Sequence, residues 1–191
     1  VTSIGRMAFS YCTGLTSISL PESITEIGEY AFHNCTALTS LTIPESVTKI
    51  ETYAFSGCGR LKAFYGKYAS EDHRALIKDG ILLSFAPADL TEYSIPEGVI
   101  SVRMDAFANN PGVTSITIPE SVTEIGTYAF ECCSNLTALY CKPAIPPTIY
   151  EGLFHNTASN IKIYVPATSL NDYKVKWPDF SDKLLEYNFN N

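Results

Sequence analysis

No stretch of the 191 residues approaches the roughly 18 uninterrupted apolar positions that a membrane-spanning helix needs, because apolar and polar residues are interleaved throughout. Membrane insertion is therefore not expected. Basic residues are few: 13 Lys and Arg stand against 20 Asp and Glu, the formal net charge is −7, and the cations are scattered. That balance argues against nucleic acid or an anionic membrane face as a partner. Histidine occurs only at His33, His73 and His155, far apart and without an HExxH pair, so no metal or cofactor is expected. A phosphate-cradling loop is missing too, since Gly57 and Gly59 precede a turn with no strand-to-helix context. The opening VTSIGRMAFS carries no basic and apolar signal segment and starts part-way through a repeat, as it would if a leader had been removed or lay outside this chain.

What the chain does have is self-similarity. PESITEIGEYAFHNCTALTSLTI begins at Pro21 and PESVTKIETYAFSGCGRLKAFYG at Pro44; PEGVISVRMDAFANNPGVTSITI begins at Pro96 and PESVTEIGTYAFECCSNLTALYC at Pro119, an interval of 23 residues in each pair. Phe9 lies the same interval before Phe32 and Phe55, so the chain opens inside a unit. Between Pro44 and Pro96 one unit has grown by six residues: ALIKDGILLSF reads as a β-hairpin around Asp79-Gly80, a favoured tight-turn pair, and Phe85 fills the gap in the phenylalanine series. After Cys141 the pattern degrades through KPAIPPTIYEGLF and returns at IKIYVP. The tail is expected to start a helix at Thr168 or Ser169, with Asp172 completing a capping box, and to end it at Pro178.

In LTSLTI the spacing of Leu38, Leu41 and Ile43 makes a short strand, and strands recurring every 23 residues must lie parallel with a crossover path between them. The expected fold is an α/β-type repeat solenoid, a right-handed coil stack with one parallel sheet, an inserted hairpin and a C-terminal helical cap. Residues 1–166 would form about seven coils, 67–95 being the hairpin-bearing one, and 167–191 the cap of the same domain. Val47, Ile50, Ala54, Phe55, Cys58, Leu61 and Phe64 should point inward in the third coil, and phenylalanines 9, 32, 55, 107, 130 and 154 should form one column. A single coil should not fold alone, because only neighbouring coils cover its flat sides. Phe9, Leu15, Ile18 and Leu20 have no preceding coil, so the chain is expected to belong to a longer array or to cover that end by contact with another molecule, as a monomer or through an end-to-end contact of the open N-terminal coil.

The pattern LxxLxLPxSVTxIGxYAFxxCxxL resembles the bacterial leucine-rich repeats of the BspA type. It departs from the commoner leucine-rich pattern because Ser23, Ser46, Gly98 and Ser121 stand where Asn usually follows the strand. The resemblance implies an extracellular or cell-surface protein, in some relatives an adhesin, with a lipoprotein leader ahead of the repeats. It does not identify a ligand.

Candidate chemistry is sparse. Cysteines 12, 35, 58 and 133 share one coil position with Asn110, which makes them a column of small buried groups rather than disulfides or a metal cluster; Cys132 is the thiol expected at the surface. Ser70, Asp72 and His73 are too close in sequence to converge as a hydrolase triad. Glu22, Glu45, Glu97 and Glu120 repeat after each proline as a solvated edge. The outward strand positions are mostly Thr and Ser, and against that background Lys62, Tyr65, Glu92, Tyr140, Lys162 and Tyr164 break the repeat where the core does not require it. Exposed tyrosines on a rigid sheet can anchor protein or sugar, although aromatic residues also favour strands for their own sake. These six are the candidate ligand-binding residues. The expected function is a non-catalytic binding or adhesion module for a protein or glycan; the alternatives are a structural display spacer and an accessory binding region of a larger enzyme.

Overall fold

The proline that opens each repeat cannot donate to a ladder, and two left-handed residues further on bend the backbone twice, so a unit of 23 residues closes into a flat coil instead of a helix. The computed structural model describes residues 1–189. In chain order its strands are β1 (Ser3–Ile4), β2 (Glu26–Ile27), β3 (Ser40–Ile43), β4 (Lys49–Ile50), β5 (Ala63–Gly66), β6 (Ala75–Lys78), β7 (Ile81–Phe85), β8 (Glu92–Ser94), β9 (Ser101–Val102), β10 (Ser115–Ile118), β11 (Glu124–Ile125), β12 (Ala138–Cys141), β13 (Thr148–Ile149), β14 (Lys162–Pro166) and β15 (Leu184–Tyr187), with the helix α1 (Leu170–Lys176) before the last.

The parallel sheet expected from LTSLTI is present in two parts, β3–β5 and β8–β10–β12–β14–β15. Each step in the second part pairs equivalent residues, as Thr117 with Tyr140 and Tyr140 with Tyr164. A second and shorter ladder, from the TEI portion of the repeat, runs β1–β2–β4 and again β7–β9–β11–β13. The turns supply a third: Phe32 N–H donates to Ala54 O and Asn34 N–H to Ser56 O, both at 2.8 Å. The return path is therefore ladder and turn, and among the described residues the only α-helix lies in the cap.

Side chains extend the same logic. Thr25, Thr48 and Thr123 hydroxyls donate to a carbonyl one coil back at 3.1–3.2 Å. Ser46 and Ser121, in the place that Asn takes in the commoner leucine-rich pattern, donate to Ile24 O and Val99 O at 2.6 and 2.7 Å. The column thiols do likewise: Cys35, Cys58 and Cys133 Sγ lie 3.0, 3.1 and 3.0 Å from the carbonyls of Phe9, Phe32 and Phe107. The apolar set expected for the third coil is buried throughout. Phe9, Phe32 and Phe55 stack at 5.2 and 5.6 Å, and Phe85, Phe107, Phe130 and Phe154 follow at 4.9, 5.5 and 5.7 Å.

Asp79 and Gly80 carry φ values of 53° and 76°, the pair of left-handed residues that a two-residue hairpin turn needs. The hairpin β6–β7 is buried on both faces, which is why ALIKDGILLSF is nearly all apolar. Leu76, Leu83 and Ala86 join a core of the N-terminal coils, whereas Ala75, Leu82 and Phe85 join that of the C-terminal coils. The hairpin has no turn segment of its own, so the third-coil turn meets the next regular coil directly. There Arg103 donates to Ile50 O and Glu51 O at 2.8 and 3.2 Å, the Asp105 carboxylate accepts the Tyr53 N–H, and Asn109 donates to Ser56 Oγ at 2.9 Å. Side chains thus bridge a junction that backbone closes elsewhere.

The cap departs from the sequence expectation in two ways. α1 starts after Ser169 and stops before Pro178, but Ser169 is buried and makes no capping bond, so the Ser169–Asp172 capping box does not form. Burial against the last coil replaces it: Tyr173 Oη donates to Pro143 O at 2.8 Å and Trp177 Nε1 to Pro147 O at 2.9 Å. The chain then returns as β15, parallel to β14, a strand that the sequence reading does not contain. The last two residues of the expected cap, 190–191, lie outside the described residues.

Candidate binding surface

Along β8, β10, β12 and β14, alternate side chains leave the core and form rows across the sheet. One row reads Glu92, Ser115, Ala138, Lys162; the next reads Ser94, Thr117, Tyr140, Tyr164 and then Leu185 of β15. The small-to-large change in the second row makes a step. Tyr140 and Tyr164 stack with ring centroids 4.8 Å apart and planes 14° from parallel, and Tyr187 meets both edge-on at 5.2 and 5.7 Å. Phe189 extends the group, 4.8 Å from Tyr187. Partial burial by its ring neighbours raises the Tyr140 phenol above its ordinary value, with Tyr164, Tyr187 and Glu92 adding to the effect.

The six expected residues therefore fall into two groups. Glu92, Tyr140, Lys162 and Tyr164 share the C-terminal sheet, with Glu92 and Lys162 three strand steps apart in one row. Lys62 and Tyr65 belong to the N-terminal one. Lys62 Nζ is 2.7 Å from Asp89, and Tyr65, exposed, packs its ring 4.8 Å from His73. The hairpin approach separates the groups, since Phe64 N–H donates to His73 O instead of to the next coil's strand. Tyr187 and Phe189 were not foreseen, because only the return of the tail as β15 brings them to this face.

Other candidates resolve into structure. Ser70 and Asp72 close a loop: the Ser70 hydroxyl is 2.5 Å from the Asp72 carboxylate, which also accepts the Arg74 N–H at 2.9 Å. No group of three or more His, Cys, Asp or Glu able to hold a metal occurs among the described residues. All six cysteines are free. Cys132 is half-exposed as expected, and so is Cys12. The four repeating glutamates are exposed.

Stacked coils with strand pairs in register at 23-residue intervals, hydroxyl and thiol ladders between them and a decorated sheet face define a leucine-rich-repeat solenoid. The chain belongs to the BspA type leucine rich repeat family, whose profile matches residues 1–71 and 83–187 in six copies. It is similar to a leucine rich cell surface protein of Faecalibacterium prausnitzii, with 26% identity and a TM-score of 0.66 over 100% of this chain and 58% of that one. A leucine-rich repeat protein of Bacteroides ovatus is 27% identical, with a TM-score of 0.52 over 86% of this chain and 47% of that one. The pneumococcal vaccine antigen PcpA shares the fold at 15% identity and a TM-score of 0.56, over 98% of this chain and 64% of that one. No curated protein matches. The chain thus spans about half the length of the first two structures it resembles.

Proposed function

We propose that this chain is a binding module of a bacterial cell-surface or secreted protein and engages a protein or glycan through the sheet face around Tyr140 and Tyr164. The observation that carries the reading is the stacked pair itself: two large rings at outward positions of a rigid sheet where the other coils, apart from that of Tyr65, place Thr or Ser. Rigid aromatic side chains lose little freedom on binding and supply much contact area, which is why they dominate interface energetics. A cell-surface setting is supported by the naming of the F. prausnitzii relative as a leucine rich cell surface protein.

The test is a screen of glycans and extracellular proteins with the soluble chain, followed by the double variant Tyr140→Ala, Tyr164→Ala. Binding should weaken by on the order of 2 kcal/mol or more, while the melting temperature hardly changes. Unchanged affinity would move the site to the hairpin or the opposite face.

A further inference from the structure

The step on the C-terminal sheet has a floor and a wall. One face of the Tyr140 ring is covered by Tyr164; the other is turned toward Thr117, its register partner, which is too small to cover it. In front of that face lies a depression of about 400 Å³, bordered by Glu92, Ser94, Ser115, Thr117 and Tyr140. A second, of about 290 Å³, shares Ser94, Thr117 and Tyr140 with the first and runs on to Lys142, Tyr187 and Phe189. Thr114 and Thr137 donate their hydroxyls to carbonyls one coil back. Glu92, Ser94, Ser115 and Thr117 are different, because among the described residues their side chains make no hydrogen bond or salt bridge. The lining therefore offers an uncovered aromatic face, three free hydroxyls and one free carboxylate.

We propose that the two depressions together take a neutral oligosaccharide, a ligand class that deepens the sheet-face reading above and rests on it. A pyranose has an apolar C–H face for the Tyr140 ring and a rim of hydroxyls that both donate and accept. A carboxylate, which only accepts, is a partner for adjacent sugar hydroxyls, and Ser and Thr hydroxyls serve either role. An apolar peptide anchor would leave the three hydroxyls and the carboxylate dry and unpaired, which is costly. An acidic sugar would bring its charge toward Glu92, and the cation of the second depression, Lys142, is already 3.5 Å from Glu97. Two adjoining depressions sharing one wall fit a chain of sugars better than a single ring.

The test is a titration of isotope-labelled chain, followed by amide shifts, with neutral hexose and N-acetylhexosamine oligomers of defined linkage at up to millimolar concentration, beside a sialylated oligosaccharide. The expected result is that at least one neutral oligomer shifts Ser94, Ser115 and Thr117 while the sialylated one does not. Glu92→Gln should weaken that binding about tenfold, as loss of a charge-assisted bond does, and Ser115→Arg, which fills the floor from an outward, half-buried strand position, should abolish it with the fold intact. No shift with any neutral oligomer, or undiminished binding in both variants, overturns the proposal. A protein ligand lost on changing Tyr140 and Tyr164, with no oligosaccharide bound, would overturn it and leave the sheet-face reading standing. An oligosaccharide that shifts only hairpin residues would overturn both.

Discussion

A tyrosine held in left-handed backbone is unfavourable on its own account, yet Tyr30, Tyr53 and Tyr128 all have φ of 56°. Their side chains supply compensation: Tyr30 and Tyr53 stack at 4.9 Å, and Tyr30 also packs edge-on to His33. The second left-handed position of the coil follows ordinary preference in four coils, with Asn34, Gly57, Asn109 and Asn156, and departs from it in two, with Tyr11 at 60° and Cys132 at 56°. At Gly57 the need is also steric, because a Cβ there would lie 2.0 Å from Asn34 Oδ1. The cysteine column shows the same economy of place, since Cys35, Cys58 and Cys133 each add a thiol donor to a carbonyl that also accepts Cys12 N–H, Cys35 N–H or Asn110 Nδ2 in turn. Burial pushes Cys35 up to about 11 and Cys58 and Cys133 up to about 12, and Cys141 is raised by burial as well. Thiol titration in denaturant should therefore find six free thiols, while brief alkylation of the native protein at neutral pH should modify Cys12 and Cys132 first. Labelling of Cys58 or Cys133 as fast as Cys132 would contradict this account.

At the scale of elements, the junction beside the hairpin concentrates the unusual chemistry. Burial pushes the Asp105 carboxyl up to about 7 from its ordinary 3.8, against the opposing pull of Arg103 and of the Tyr53 N–H. A folded state that keeps a proton the unfolded chain releases is most favoured below the unfolded value and loses that advantage as pH rises toward the folded one. The melting temperature should therefore fall between about pH 4 and pH 7, by up to a few kcal/mol in stability, and Asp105→Asn should remove that component of the slope. A parallel pH profile in the variant would show that Asp105 stays ionised beside Arg103. The sequence reading did not single out the junction, although Asp105 stands where Tyr30, Tyr53 and Tyr128 stand and Arg103 where Gly28 and Gly126 do. What they bridge could not be read, because the partner turn lies 52 residues away. The hairpin itself was legible from Asp79-Gly80 and its apolar run. β15 was not, because LLEY carries no repeat signature and becomes a strand only by docking on the edge of β14.

For the molecule as a whole, periodicity alone located the coils and the outward face, because each is fixed by local spacing, whereas the phenylalanines expected as one column form two stacks, 9–32–55 and 85–107–130–154. The division of the six candidate residues between two sheets was hidden, since it depends on where the hairpin interrupts the stack. That interruption leaves two cores, one containing Ile27, Phe32 and Phe64 and the other Phe107, Phe130 and Trp177. Repeat arrays are stabilised by nearest-neighbour contacts, so backbone amides should exchange in two classes with different opening free energies, divided at residues 75–86; a single global class would show that the hairpin transmits cooperativity fully. The same insertion also has a geometric consequence. On the short-ladder side, β6 and β7 stand between the coil of β4 and that of β9, whereas on the turn side Tyr53 and Asp105 touch. At about 4.8 Å per strand, one flank of the stack is thicker than the other by roughly two layers, so the hairpin is a wedge. Coils packed on its two sides are therefore expected to tilt relative to one another, which would turn the two sheet faces in different directions.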